Sequence, residues 1–448
     1  MKKCPAKDQE DRWQCAADLR SELKWIAEGG SQAGLPAPVA TRRGFLRAAT
    51  LAGLGANIAW RGFAAPRGRI PAKRNPRARA LDREALEDIL VGCSYLGCGG
   101  GGSLSEGLAR LEDDRKAGLR FELLALADLG DDHWAASPYG LGSTAPPSDG
   151  EKSRFADLPR AREDAVEASF RLLSVYLGRP FVAVIAAELG PWSTAAALST
   201  AARLDIPALD ADRVGRATPE ATQDSILAAG LSTTPLAAVT GFGDSLVLKK
   251  VARGSRVEDL LRAISIASLG ELGVTDAALP GRTAKRPGVL VASSLSHAEE
   301  LGKACRRATV AHRDPLEAVL TAGGGYRLFE GEVVDFPWKE DAGFLAGEVS
   351  IEGRGPFRQS RYRVRYKNEN IISWRDDTVS VTPPDLIAIA DARTGSAIAN
   401  PEFQLGQIVT VLGFPAPTLW RTPEGLRVFG PAHFGFDVPY VPIERRQT

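Results

Sequence analysis

The stretch Phe181-Val182-Ala183-Val184-Ile185-Ala186-Ala187-Glu188-Leu189-Gly190 decides the fold. Its apolar run reads as a buried strand, and it stops at a carboxylate. A second run, residues 207–209, stops the same way, at Asp210-Ala211-Asp212-Arg213-Val214-Gly215-Arg216-Ala217-Thr218-Pro219-Glu220. In an open α/β sheet, ligands sit outside the carboxyl ends of the strands, so acids placed there face a cleft. The two stretches together predict a small-molecule site.

Working outward, strands and helices alternate. Residues 121–126, 181–187, 207–209 and 235–240 read as strands and 161–177 and 193–204 as helices, while Pro219 sits where a helix running to residue 229 could begin. Helical spacing also marks 81–96 and 104–111 before this block, and 257–269 and 289–308 after it. This alternation predicts a layered α/β domain with a largely parallel sheet over residues 81–322. Beyond it, short alternating runs at 326–334, 344–351, 362–366 and 407–412 are separated by Gly, Pro, Asn and Asp. That spacing predicts a β-rich, barrel-like domain over residues 323–448.

Between the first two helical segments lies Gly97-Cys98-Gly99-Gly100-Gly101-Gly102-Ser103, and Ser103 with Glu106 fits a capping box. Glycine backbone can approach an anion or carbonyl closely, and the following helix N-terminus adds partial positive charge. The spacing satisfies G-x-G-x-x-G, but the preceding segment is helical where a dinucleotide fold requires a strand. Each glycine costs about 0.5–1 kcal/mol relative to Ala in regular structure, which favours a ligand-cradling loop over a plain connector. Cys98 reads either as a nucleophile activated by the helix N-terminus or as a small residue filling a tight loop.

The acids carry two readings each. Glu188, at the end of a buried strand, is either catalytic or a cap and backbone clamp. Asp210 and Asp212 share one face of an extended chain, where like charges would raise one pKa toward the range of a general base. Arg216 either neutralises one of them or binds a substrate carboxylate, and the alternative is a structural ion network with Glu220. Asn368-Glu369-Asn370 follows an apparent strand and reads as turn chemistry or ligand contact. Trp420 and His433 read as core packing or interdomain contacts.

The 448 residues are 44% hydrophobic and 25% charged, an ordinary globular composition with room for two sizeable cores. The near balance of 56 basic and 55 acidic residues hides an asymmetry, because residues 1–80 carry 16 Lys and Arg against 6 Asp and Glu. The remaining body is acidic and lacks a basic stripe, which argues against nucleic acid as the main partner. Five cysteines form no Cys-x-x-Cys pair and four histidines no His-x-His or His-Glu-x-x-His, so neither a disulfide framework nor a usual zinc hydrolase is expected. No cofactor is expected; a divalent cation on the carboxylates is compatible with the sequence, but nothing demands one. A small-molecule substrate is the expected partner, and a homo-oligomer is left open.

Within residues 1–65, Thr41-Arg42-Arg43-Gly44-Phe45-Leu46-Arg47 precedes a mildly apolar run, 48–60, and small residues at Gly62, Ala64 and Ala65. This leader resembles a twin-arginine export signal. Its apolar run is too short to span a bilayer permanently. The expectation is an exported, periplasmic protein without an integral membrane segment, cleaved near Ala64 or Ala65. A basic tail on a cytoplasmic protein is the alternative. Residues 66–80, rich in Arg and Pro, read as a linker.

Taken in order, several motifs resemble the S-methyl thiohydantoin desulfurase-like family, which is associated with hydantoinase/oxoprolinase-type proteins. They are Leu96-Gly97-Cys98-Gly99-Gly100-Gly101-Gly102, Glu188-Leu189-Gly190, Asp210-Ala211-Asp212, and Gly215-Arg216-Ala217-Thr218-Pro219-Glu220. Further along come Pro384-Asp385-Leu386-Ile387, Asp391 with Thr394-Gly395, Pro415-Ala416, Trp420-Arg421-Thr422-Pro423, and Gly430-Pro431 with Phe434-Gly435. The resemblance covers residues 81–443 and implies an α/β domain followed by a β-barrel-like one. Cys98 stands where the family usually carries Thr, and Glu188-Leu189-Gly190-Pro191-Trp192-Ser193 replaces a Glu-x-Gly-Gly-x-Asn stretch.

The activity implied is a hydrolytic desulfurase acting on a thiohydantoin or related small cyclic amide. Water would attack the ring carbon between two nitrogens and a sulfur, and a thiol would leave. That needs a base for the water proton and donors for the charge on the intermediate. Asp212 or Glu188 is the expected base, with Asp210 and Glu220 in the same acidic cluster and Arg216 as clamp. The Gly99, Gly100, Gly101 and Gly102 amides are the expected donors, with Gly97, Cys98, Asn368 and Glu369 as further ligand contacts. No nucleophile-base-orienter triad is visible, so the rival reading is a non-catalytic binding protein or accessory subunit for a hydantoin-like metabolite.

Overall fold

The structure is a computed structural model that describes residues 77–142 and 148–446. The twin-arginine segment and most of the expected linker lie outside the described residues. The linker's last residues instead begin the first strand, β1 (Arg79–Leu81).

Phe181–Ala186 forms β4, deep inside a nine-stranded sheet. Its companions are β2 (Phe121–Ala125), β3 (Trp134–Leu141), β5 (Ala208–Asp212), β6 (Leu236–Thr240), β7 (Ser245–Leu248), β8 (Leu272–Pro280) and β9 (Val291–Ala292), in the order β1-β2-β5-β4-β3-β8-β6-β7 with β9 on β5. The adjacent strands β2, β5, β4 and β3 run parallel. Every other pairing is antiparallel, so the sheet is mixed: its parallel part contains the expected strands β2, β4 and β5 with the unexpected β3, and the expected strand β6 is antiparallel to both neighbours.

The sheet is covered on both faces, as the unbroken apolar run of β4 requires. Val184 and Ala186 belong to one core, with residues of α1 (Arg83–Leu96), α2 (Leu104–Lys116) and α4 (Pro191–Arg203). Ala183 and Ile185 belong to another, with Leu209 and Ala211 of β5. The helix α3 (Ala165–Leu177) is capped by Asp164, whose Oδ1 accepts from the Val166 and Glu167 amides. Helices α5 (Arg256–Ile266), α6 (Ser294–Val310) and α7 (Pro315–Gly323) complete this half.

The second sheet is an antiparallel, curled half-barrel. It contains β10 (Tyr326–Asp335), β11 (Trp338–Asp341), β12 (Phe344–Gly353), β13 (Arg361–Lys367), β14 (Glu369–Arg375), β15 (Thr378–Val381), β16 (Leu386–Asp391) and β17 (Ile408–Phe414). Its order is β15-β14-β13-β12-β10-β17-β16, with β11 on β12. One outer side continues the core of α1 and α4 through Leu386, Ala388, Leu412, Phe414 and Trp420. Trp420 is fully buried and its Nε1 donates to the Val214 carbonyl at 2.6 Å, so it packs in the core and ties the chain's tail to the first half.

The expected helix from Pro219 to 229 is only a single turn, Ser225–Ala228. Gln223 Oε1 accepts from the Thr218 hydroxyl and the Glu220 amide, and Asp224 caps the turn through the Ile226 amide. These side-chain bonds compete with helical ones. The segment 289–308 begins as β9 and turns helical only after Ser293, whose φ is +58°. Among the described residues, no helix is long and apolar enough to cross a membrane.

Candidate functional site

A cavity of about 690 Å³ lies at the carboxyl ends of the parallel strands and is closed on one side by the β13–β14 turn. Tyr139, Leu141, Trp192 and Leu272 give it apolar and aromatic walls, and Glu188, Glu369, Asn368, Gly101, Gly102 and Glu220 also border it. It therefore joins the glycine loop, the end of β4 and the start of β14.

Glu188 follows β4 and precedes α4, a placement that holds its carboxylate in two hydrogen bonds. Oε1 accepts from Ser193 Oγ at 2.7 Å and Oε2 from the Thr218 amide at 2.9 Å. Burial raises its pKa, against these two bonds and the Arg213 and Arg216 charges. Glu369, the first residue of β14, is only 2% exposed, and its Oε2 has no partner. Burial, and then the Glu188 charge, push Glu369 well above the ordinary carboxyl range, against Arg216 and the amides of Gly101 and Glu369 itself. Among the described residues neither acid has an ion-pair partner. The site thus holds two neighbouring buried acids whose pKa values are both raised, Glu369 well above the ordinary carboxyl range.

The glycine loop is shaped for this contact. A Cβ on Gly100 would sit 1.9 Å from Glu369 Oε1, and one on Gly101 2.3 Å from the Gly190 Cα. Gly101 has φ +72° and its carbonyl accepts from the Trp192 and Ser193 amides, which fixes the loop against the start of α4. Gly100 donates to the Gly97 carbonyl at 2.8 Å. The segment before the loop is the helix α1, so the G-x-G-x-x-G spacing is not a dinucleotide motif here.

The other sequence candidates have different places. Asp210 accepts from the amide and hydroxyl of Ser296, at 2.9 and 2.7 Å, and so anchors the first turn of α6 instead of bordering the cavity. Asp212 is fully buried and accepts from the Val214 and Gly215 amides at 2.8 and 2.7 Å. Burial raises it to about 7, opposed by those amides and Ser294, and the neighbour that adds to the rise is Glu188, where sequence reasoning expected Asp210. Arg216 spends its donors on backbone carbonyls, Ala217 and Pro384 at 2.9 Å and Asp385 and Asn370 at 3.2 Å. It joins the two halves of the protein and has no free fork for a substrate.

Glu220 does border the cavity, but it is bound by Lys367 at 2.5 Å and His433 at 2.9 Å. Although burial opposes it, these contacts hold its carboxyl down at about 2. His433 is accordingly a contact between the chain's tail and the first half. Cys98 is buried in the loop, and burial raises its thiol, so the small-residue reading fits it better than an activated thiolate. Gly97 and Gly99 lie behind the cavity wall, with Gly99 against the Asn400 side chain. Asn368 has φ +57°, and its Oδ1 accepts from the Leu345 amide at 2.8 Å, so turn chemistry accounts for its side chain.

Sequence reasoning missed one group in the wall, the ion cluster of Arg213 with Asp224 and Asp276, to which Tyr139 donates at 3.2 Å. Arg213 sat within the quoted stretch, but Asp276 arrives from β8, and no local signal links them. Among the described residues, no group of three or more His, Cys, Asp or Glu is placed to hold a metal ion.

Comparison with known proteins agrees with this architecture. Residues 84–250 match the S-Me-THD-like N-terminal domain and residues 252–443 the S-Me-THD-like C-terminal domain. The chain belongs to the S-Me-THD-like family. A crystal structure of a protein from Chromobacterium violaceum is similar, with 22% identity, a TM-score of 0.65, and coverage of 82% of this chain and 100% of that one. At that identity the likeness speaks for the fold alone. No curated protein matches the chain.

Proposed function

We propose that the protein is a hydrolase that removes a sulfur substituent from a thiohydantoin-like cyclic amide bound in the cavity. The observation that carries this reading is the pair Glu188 and Glu369, two acids bordering one cavity and, among the described residues, without a cation bonded to either. Glu188 is the base and takes a proton from water as the water oxygen bonds to the ring carbon. The C=N electron pair moves to the ring nitrogen, which takes the Glu369 proton. On collapse the new hydroxyl returns a proton to Glu369, the C–S bond breaks, and the thiol leaves with the proton held by Glu188. Gly101 and Gly102 are the loop residues bordering the cavity; the Gly101 amide already meets the Glu369 carboxyl, and the Gly102 amide is the donor left for the intermediate. Among the described residues, no histidine or cysteine borders the cavity, which favours water as the nucleophile.

This reading keeps Glu188 as base and the glycine loop as donor from the sequence expectation, and brings in Glu369 in place of Asp212 and Arg216. It gives a bell-shaped pH dependence, with turnover rising as Glu188 ionises through its raised pKa and falling as Glu369 ionises. Thiol release from an S-methylated thiohydantoin, followed with a chromogenic disulfide, tests it. Glu188→Gln and Glu369→Gln should each lose about 10²–10⁴-fold in turnover, the usual contribution of a positioned acid or base. Asp210→Asn should leave turnover unchanged. Full turnover in both glutamine variants would overturn the proposal, and tight binding of an unchanged ligand by the parent protein would favour a binding protein. The Arg42-Arg43 pair supports export of the folded protein as part of the same reading.

A further inference from the structure

We propose that residues 155–163 form a strap across the mouth of the cavity, latched by the ion pair of Arg160 with Glu271, and that small molecules pass only when this latch opens. The proposal concerns access and does not depend on the reaction inside. Of the described residues bordering the cavity, Arg160, Glu163 and Glu271 are the exposed ones, so the mouth lies between the strap and the start of β8. Arg160 comes from one rim and Glu271 from the other. Their side chains are 51% and 53% exposed and bonded to each other, so the pair closes the mouth from the solvent side.

The strap is tied down unequally along its length. At its far end Glu163 meets Arg171 of α3 at 3.5 Å, and Asp164 both caps that helix and bonds Arg110 at 2.8 Å. That end is the hinge. The remainder rests on the tip of the β6–β7 hairpin, where the Ala161 amide donates to the Gly241 carbonyl at 2.9 Å. There Phe155 stacks on Phe242 with ring centroids 5.6 Å apart, and the Arg160 guanidinium lies over the same ring at 4.8 Å. Residues 152–160 are exposed apart from the partly buried Phe155, so little buried apolar surface holds them down. Gly241 makes room for the latch, since a Cβ there would sit 2.3 Å from Glu271 Oε2 and 3.2 Å from Arg160 Nη1. An exposed ion pair is weak, and salt screens it. The latch can therefore open and reclose without disturbing either core.

The test places a thiol on the cavity wall by Leu141→Cys or Leu272→Cys, where the parent side chains are 6% and 2% exposed, and either variant suffices. Its reaction with uncharged dithiodipyridine is followed on the whole protein, with mass mapping to separate it from the native cysteines. Adding Glu271→Gln or Gly241→Ala should speed labelling of the wall thiol about twofold to fivefold, the range of an exposed ion pair. Raising salt to about 1 M should speed the protein with an intact latch by a similar factor and leave the Glu271→Gln protein unchanged. Cys93, buried and not bordering the cavity, is the internal control and should keep its rate. Labelling of the wall thiol that ignores both substitutions and salt would overturn the proposal. So would an equal rise at Cys93, because it would mean general loosening of the fold. A failure to release thiol from a thiohydantoin would leave these rates untouched and bear on the hydrolase reading alone.

Discussion

The neighbouring strands β4 and β5 both end in acids, and the two ends behave differently. Asp212 turns back onto the amides of its own loop, and Asp210 fixes the first turn of α6, so the acids after β5 serve the chain that surrounds them. Glu188 after β4 is also hydrogen-bonded, but on its other side it meets open space and a second acid supplied by the half-barrel. Among the described residues none of the three acids is ion-paired, so what separates them is access: Glu188 borders the cavity, and Asp210 and Asp212 do not. Strand position by itself does not decide it.

That contrast can be broken most strongly at Arg216. Replacing it by Met should leave the carbonyls of Pro384, Asp385 and Asn370 without their donor, at about 1–3 kcal/mol for each orphaned group. A loss of stability measured by urea unfolding, with no selective change in ligand affinity for the folded fraction, is the expected outcome. Gly100→Ala should come next, costing about 1–3 kcal/mol through overpacking and displacing the Glu369 carboxyl. Its turnover should fall further than its melting temperature alone would account for.

Legibility in the sequence followed the same divide. The β4 run, the glycine loop and Glu188 were readable because each signal is local, an apolar stretch, a cluster of small residues and a charge at its edge. Glu369 was visible as a turn residue, but its pairing with Glu188 depends on how the half-barrel docks, 181 residues further on. The period-two spacing of Asp210 and Asp212 correctly put them on one face, yet what lies across that face is α6, whose arrival no local pattern announces. Strands β3 and β8 escaped notice for a related reason. Ser137-Pro138 and Gly140 interrupt the apolar pattern of the first, and Thr275-Asp276 that of the second, where Asp276 is buried only because Arg213 meets it.

Two smaller effects sharpen the comparison through pH. Asp212 is raised to about 7 when folded, against about 3.9 for an unfolded Asp, so the folded state holds its proton more tightly. Its contribution to stability is complete below pH 4 and is lost as pH rises through 7. Asp212→Asn should flatten that part of the unfolding profile. Glu220 has the opposite sign, because its folded carboxyl is held down at about 2. Its stabilisation is present above the unfolded value and lost as pH falls toward 2. Glu220→Gln should cost about 1 kcal/mol at neutral pH, the upper end for a partly exposed ion pair, and remove the acid-side loss.

The boundary between the two family segments falls at residues 250–252, within the first sheet, because β8 belongs to the later segment yet sits between β3 and β6 of the earlier one. A fragment ending there would present Trp134–Leu141 and Leu236–Thr240 with bare hydrogen-bonding rims, the kind of template on which chains stick to one another. The inherited segments are therefore not separable modules, and expression of the first one by itself should yield insoluble material.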